Sequence, residues 1–158
     1  MGAKKTLLLD FDHHGPDGVR EIQKKIGLSE LQIYSFGEQS IQSIAEAERW
    51  LQGLRPILLE KCDGPDLVIF NAGVDSFEKD PLGGVMTVEQ MDRRDRSVFE
   101  TAKMFQVPVV TSLAGGYTRD AEGSIHPALD LHTQTLCEYF GVHAEKYLNF
   151  TRSNCAKR

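Results

Sequence analysis

Lys5 to Asp10 read KTLLLD, an apolar run with a charged end, and the chain continues through Phe11, Asp12, His13 and His14 into the turn residues Gly15, Pro16 and Gly18. A second apolar run, Asp66 to Asn71 (DLVIFN), also opens into a glycine loop and then a carboxylate, Asp75. A third, Val107 to Ser112, opens into Gly115, Gly116 and Tyr117. Near-continuous apolar strands alternating with helical spacing predict a parallel sheet covered on both faces. In such a sheet the loops after the strands' carboxyl ends share one edge. Asp12, His14, Asp75 and Tyr117 are therefore expected to meet in one crevice. Two carboxylates and an imidazole make a hard, anionic metal site, and a tyrosine hydroxyl beside it is a ready hydrogen-bond donor.

The rest of the chain keeps this alternation. Val19, Ile22 and Ile26 predict a helix over 18–26, followed by a strand over 31–36 (LQIYSF). Ile41, Ile44, Ala45 and Trp50 predict a longer helix over 39–52, which Pro56 interrupts or follows with a second helix at 56–61. Thr87 is placed as a helix N-cap with Gln90 at the capping-box spacing, opening a helix to about Phe105. A last helix is expected from Ile125 to Tyr139. The expected architecture is one α/β domain over 1–148, with a parallel sheet of about four strands and helices on both faces. A polar tail, 149–158, follows it.

Bulk properties exclude several function classes. At 158 residues the chain is one domain with room for a core. A net charge of -5 argues against nucleic-acid binding, which needs basic surface. No apolar stretch approaches the roughly 18 residues of a membrane span, and the N-terminus lacks a signal-peptide core. Cys62, Cys137 and Cys155 are odd in number and form no CxxC pair. Neither a disulfide framework nor a thiolate zinc site is expected, and a reducing, cytoplasmic setting is the simplest inference.

Each candidate residue has a plainer reading beside the functional one. Asp10, Asp12 and His14 alternate, so in extended backbone they point to one side. Three polar side chains aimed together at a strand end are costly without partners. The competing reading is a solvated loop with an aspartate cap. Asp75 alone reads as a turn residue or cap and becomes a ligand candidate beside the first motif. Gly115 and Gly116 permit positive φ and close backbone approach, as suits a loop lying against a substrate. His13 reads as a packed or exposed histidine. His126, His132 and His143 read as surface or boundary helix residues. The run Asp92 to Arg96 reads as a solvated helix face, and Met86, Met91 and Met104 as core filler.

Taken together the motifs resemble those of the histone deacetylase superfamily, in particular its C-terminal half and its bacterial acetylpolyamine-amidohydrolase-like and class IV-like members. DFDHHGPDGV is similar to the family's D-x-D-x-H-x-G-x-G region, with Gly15 and Pro16 where many members carry histidine and glycine. NAGVDSFEKDPLGG resembles its N/C-x-G-x-D-x-x-x-x-D-x-L-G segment, and RRDRSVFETAKMFQVPVVTSLAGGY its R-D-x-x-V-F…P-V…GGY segment. The resemblance, over about residues 5 to 140, implies the arginase/deacetylase-type fold in a truncated form. It implies Asp12, His14 and Asp75 as zinc ligands, with another divalent metal as an alternative, and Tyr117 as the group that polarises an acetyl carbonyl. It implies Gly115 and Gly116 as the substrate loop. It also implies a monovalent cation near Asp10, with further oxygens from the segment of Ser35 and Phe36. Substrates implied are acetyl-lysine or acetylated small molecules.

The departures from the family are specific. Family members carry a tandem histidine dyad upstream of the first motif, oriented by carboxylates at the positions of Asp10 and Asp17. Here only MGAKK stands upstream. A metal-activated nucleophile without a positioned base loses about 10²–10⁴-fold in rate. Three readings result. The first is a truncated, deacetylase-like zinc-binding domain with weak or no activity alone. The second is one fragment of an assembled deacetylase whose dyad is supplied in trans. The third is a non-catalytic binding or oligomerisation module. A homodimer is expected, because a sheet edge and apolar surface need cover.

Overall fold

A computed structural model of the chain describes residues 2–143; the expected polar tail lies outside the described residues. The elements run β1 (Thr6–Asp10), α1 (Asp17–Ile26), β2 (Leu31–Ser35), α2 (Ile44–Lys61), β3 (Leu67–Gly73), α3 (Val88–Met104), β4 (Val109–Ala114) and α4 (His126–His143). The four strands form one parallel sheet in the order β2-β1-β3-β4. The step from β1 to β2 runs opposite to the two later steps. Right-handed crossovers therefore put α1 on one face and α2 and α3 on the other.

The two faces differ in cover. Leu7, Leu9 and Phe11 from β1 and its end join Val68, Phe70 and Ala72 from β3 in the main core, with Leu54 and Leu58 of α2 and Val98 and Phe99 of α3. Edge-to-face ring contacts run through it: Phe11 to Trp50 at 5.3 Å, Phe11 to Phe70 at 5.5 Å, Phe70 to Phe99 at 5.5 Å. Each is worth about 0.5–1.5 kcal/mol beyond its area. They anchor Phe11, the residue before Asp12. On the opposite face the register aligns Ile33, Leu8, Ile69 and Val110. There α1 buries none of its side chains completely, and Ile22, Ile26 and Val110 are each more than half exposed.

Local chemistry explains most boundaries. Gly27 closes α1 with φ 69°, the left-handed cap that glycine adopts freely. Thr87 and Gln90 make both halves of the capping box at α3. One element departs from expectation. α2 is a single helix from Ile44, not 39–52, because the Ser43 hydroxyl accepts from the Glu46 N–H and caps it there. It also runs through Pro56 without a break. Proline in a helix interior costs about 3 kcal/mol. Pro56 is exposed, and the buried stripe Ala47, Leu51, Leu54 and Leu58 on the inner face offsets that cost. Among the described residues no helix is long and apolar enough to cross a membrane.

Candidate metal centre

The strand ends β1 and β3 lie side by side, with Asp10 paired to Asn71 and the Phe11 N–H donating to the Asn71 carbonyl. The next residues leave the ladder together. Gly73 presses on Asp12 so closely that a Cβ there would meet the Asp12 Cα at 2.4 Å. This close approach brings Asp12 and His14 of one loop against Asp75 of the other. His14 Nδ1 lies 3.0 Å from Asp12 Oδ1 and 3.0 Å from Asp75 Oδ2. The loop is braced from inside. The His14 N–H donates to Asp12 Oδ1 at 2.8 Å, and the His13 N–H donates to Asp75 Oδ1 at 3.0 Å.

The donor set fits a divalent metal. One donor atom from each of Asp12, His14 and Asp75 lies within 4.8 Å of the other two. A tetrahedral ion with bonds of about 2.0 Å sets ligand–ligand separations of roughly 3.3 Å. Electrostatics agree. Asp75 is fully buried, and burial pushes its carboxyl up to about 6, with the neighbouring Asp12 charge adding to the rise and the His13 N–H opposing it. Asp12 beside it raises the His14 imidazole above its usual value. A bound cation relieves the cost of both carboxylates at once.

A second polar row crosses the sheet on the thinly covered face. The Ser112 hydroxyl donates to Asn71 Oδ1 at 2.9 Å, and Asn71 Nδ2 donates to Asp10 Oδ1 at 2.7 Å. Ser35 stands in register with Asp10, and the Phe36 N–H donates to the Asp10 carbonyl. The Ser35 hydroxyl is buried without a hydrogen-bond partner among the described residues. Burial raises the Asp10 carboxyl above the ordinary range, against the Asn71 amide. A carboxyl and an idle hydroxyl buried together suit a small cation. Asp17 lies apart from this row, exposed at the start of α1.

The glycine loop reaches the triad through its backbone. Gly115 has φ 59°, and a Cβ on it would strike Asp75 Cγ at 2.7 Å. Gly116 has φ 94°, and a Cβ there would strike Val74 Cγ2 at 2.6 Å. Tyr117 follows with its side chain half exposed and its N–H donating to Asp80 Oδ2 at 2.6 Å.

Sequence reasoning missed four residues packed around this site. Asp80 is buried and also accepts from the Leu82 N–H and the Thr118 hydroxyl, fixing the loop that carries Tyr117. His132 lies half-buried beneath Gly115 and Gly116, its imidazole held below its usual value by burial. Arg94 and Asp95, expected on a solvated face, are buried. A charge run cannot show which of its members turns inward. Met104 also departs from expectation: it is exposed, while Met86 and Met91 are buried.

Comparisons with known proteins agree with the fold and the family. A family model described as "Histone deacetylase domain" matches residues 38–136, well over half of the chain. The match contains Asp75 and Tyr117, while Asp12 and His14 precede it. Over 67 residues the chain is 34% identical to Histone deacetylase 2 of Arabidopsis thaliana, covering 42% of this chain and 17% of that one. Over 69 residues it is 36% identical to an uncharacterized protein of Picosynechococcus sp., covering 43% and 23%. Among solved structures, the HDA15 HD domain matches with TM-score 0.54 and 20% identity, over 91% of this chain and 51% of that one. The acetylpolyamine aminohydrolase of Burkholderia pseudomallei matches with TM-score 0.56 and 16% identity, over 89% and 46%. The chain thus spans about half the length of those structures and less of the curated relatives, and on the family match it belongs to the histone deacetylase domain family.

Proposed function

We propose that Asp12, His14 and Asp75 hold a zinc ion in a site related to those that hydrolyse the acetyl amide of acetyl-lysine or a small acetylated amine, with weak or no activity in this chain alone. The observation that carries this is the convergence of three donors from two loops, 61 residues apart in sequence, on one point at the carboxyl edge of the sheet. When bound, zinc supplies Lewis-acid chemistry toward an acyl carbonyl. The chain's own residues do the rest. Gly115 lies against Asp75 and Asp80 ties down the Tyr117 backbone; in this reading the Tyr117 hydroxyl is the group offered to an oxygen on which charge develops. Asp10 and Ser35 hold a monovalent cation beneath the first loop.

One observation favours weak activity by this chain alone. His14 is engaged by both carboxylates, the Nδ1 of His13 is buried without a partner among the described residues, and His132 lies under the glycine loop. In this reading none of them passes a proton to a leaving amine. The five histidines of this sequence all lie among the described residues, so full activity in this reading draws its dyad from outside this sequence, as when it is supplied in trans. The test is metal analysis of purified protein together with turnover of acetyl-lysine and acetylpolyamine. Stoichiometric zinc with little turnover supports the proposal. Absence of zinc uptake leaves the non-catalytic module as the better reading. Turnover that appears only with a partner chain identifies the assembled enzyme.

A further inference from the structure

Arg94 is fully buried, and its Nη1 faces the two loops that carry the triad. It donates to the Gly73 carbonyl at 2.9 Å, to the Ser76 hydroxyl at 2.9 Å and, at 3.3 Å, to the Phe11 carbonyl. Phe11 immediately precedes Asp12, while Gly73 and Ser76 flank Asp75. The Ser76 hydroxyl in turn donates to the Gly73 carbonyl. On its other side Arg94 Nε donates to Asp95 Oδ1 at 2.7 Å, and the second oxygen of Asp95 accepts from the Thr135 hydroxyl of α4 at 2.6 Å. Thus α3 and α4 together hold one guanidinium beneath the junction of the two loops.

Stability alone is a poor explanation for this arrangement. A buried ion pair is often no better than apolar side chains of equal volume. Here Arg94 Nη2 is buried with no hydrogen-bond partner among the described residues, a further cost. The Nε and Nη1 contacts together use what is particular to arginine, a rigid fork that meets several acceptors at once.

We infer that Arg94, oriented by Asp95 and Thr135, is a positioning residue that sets the separation of the Asp12 loop from Asp75 and so tunes the metal centre. The inference rests on reading Asp12, His14 and Asp75 as metal ligands. Outer-shell partners of ligands typically change metal affinity by about 10–100-fold when lost.

The test compares the full chain with Arg94→Met and Arg94→Lys, measuring Zn²⁺ affinity by chelator competition and the visible absorption spectrum of the Co²⁺-loaded protein. Leu54→Ala, in the α2 core, serves as a control for loss of stability alone. The expected result is a loss of about tenfold or more in Zn²⁺ affinity and an altered Co²⁺ spectrum for Arg94→Met. Arg94→Lys, which keeps the charge but not the fork, is expected between that variant and the wild type. Leu54→Ala is expected to melt earlier with affinity and spectrum unchanged. Should Arg94→Met fail to fold, Arg94→Lys decides. Wild-type affinity and spectrum in whichever variant folds overturns the positioning role. A wild-type chain that takes up neither ion overturns the metal centre itself, and the positioning role with it.

Discussion

Asp75 is where binding and stability pull in opposite directions. Its carboxyl is raised from the ordinary carboxylate range to about 6, chiefly by burial. A carboxyl raised in the folded state binds its proton more tightly there than in the unfolded chain. The resulting penalty is absent below the unfolded value and complete above about 6. In the metal-free protein Asp75→Asn is therefore expected to raise stability at pH 7.5, on the order of 1 kcal/mol, and to change little near pH 4. The lost attraction to His14 counts for little because that imidazole is exposed. Excess zinc is expected to reverse the order, since the wild type gains about 2.7 kcal/mol at a hundredfold excess over Kd and the variant does not. Thermal melts with and without zinc at the two pH values check both halves. Tyr117 poses a different question, because the structure fixes its backbone and leaves its ring half exposed. Tyr117→Phe is expected to bind zinc normally and to hydrolyse substrate about 10²-fold more slowly, as loss of one oxyanion donor does. Equal rates for the two proteins would remove Tyr117 from the mechanism.

At the scale of elements, α3 concentrates the chain's electrostatic costs. Burial pushes the Asp92 carboxyl up to about 6, aided by the charges of Glu138, Asp95 and Glu89. The sign is again that of a raised carboxyl: the cost is present above about 6 and gone by pH 4. Asp92→Asn is expected to stabilise the protein by about 1 kcal/mol at pH 8, allowing for partial exposure, and by nothing near pH 4. Melting curves across that range would show a widening gap; a constant gap would contradict the assignment. α3 also shows what a sequence can and cannot reveal. Its start was legible because the Thr87–Gln90 box is made of neighbours. The strand ends were legible because the parallel-sheet rule sends Asp12, His14 and Asp75 to one edge whatever the intervening length. Arg94 and Asp95 were not, since a charged pair reads the same whether its face meets water or the underside of two loops. The start of α2 was misread for a related reason. Ile41 and Ile44 fit a helical period, but whether the helix begins before or after them depends on which hydroxyl caps it.

Two features of the whole molecule bear on how it works. Val110 and Leu113 on the edge strand β4, and Leu129 and Leu136 on α4, are exposed. Exposed apolar side chains along a sheet edge favour self-association through that edge. A concentration-dependent dimer is expected by light scattering, weakened by the double change Val110→Glu and Leu113→Glu. A monomer at all concentrations would contradict it. The second feature is the balance of catalytic parts. The fold brings together three metal-type ligands and a tyrosine loop, and the described imidazoles near them sit elsewhere in the arrangement: His14 between two carboxylates, His13 half-buried with its Nδ1 unpartnered among the described residues, His132 under Gly115 and Gly116. An amide needs a proton delivered to its leaving amine, whereas an activated ester leaves without one. General acid–base help is worth about 10²–10⁴-fold, so the zinc-loaded chain alone is expected to cleave an activated acetate ester in preference to an acetyl-lysine amide by a margin of that order beyond the difference in their intrinsic reactivity. Asp75→Ala should abolish the ester activity, which ties it to the metal. Amide turnover by the isolated chain at about 1–10 s⁻¹, within the ordinary enzyme range, and lost in Asp75→Ala, would show that one of these histidines, or another group of the chain, moves the proton after all.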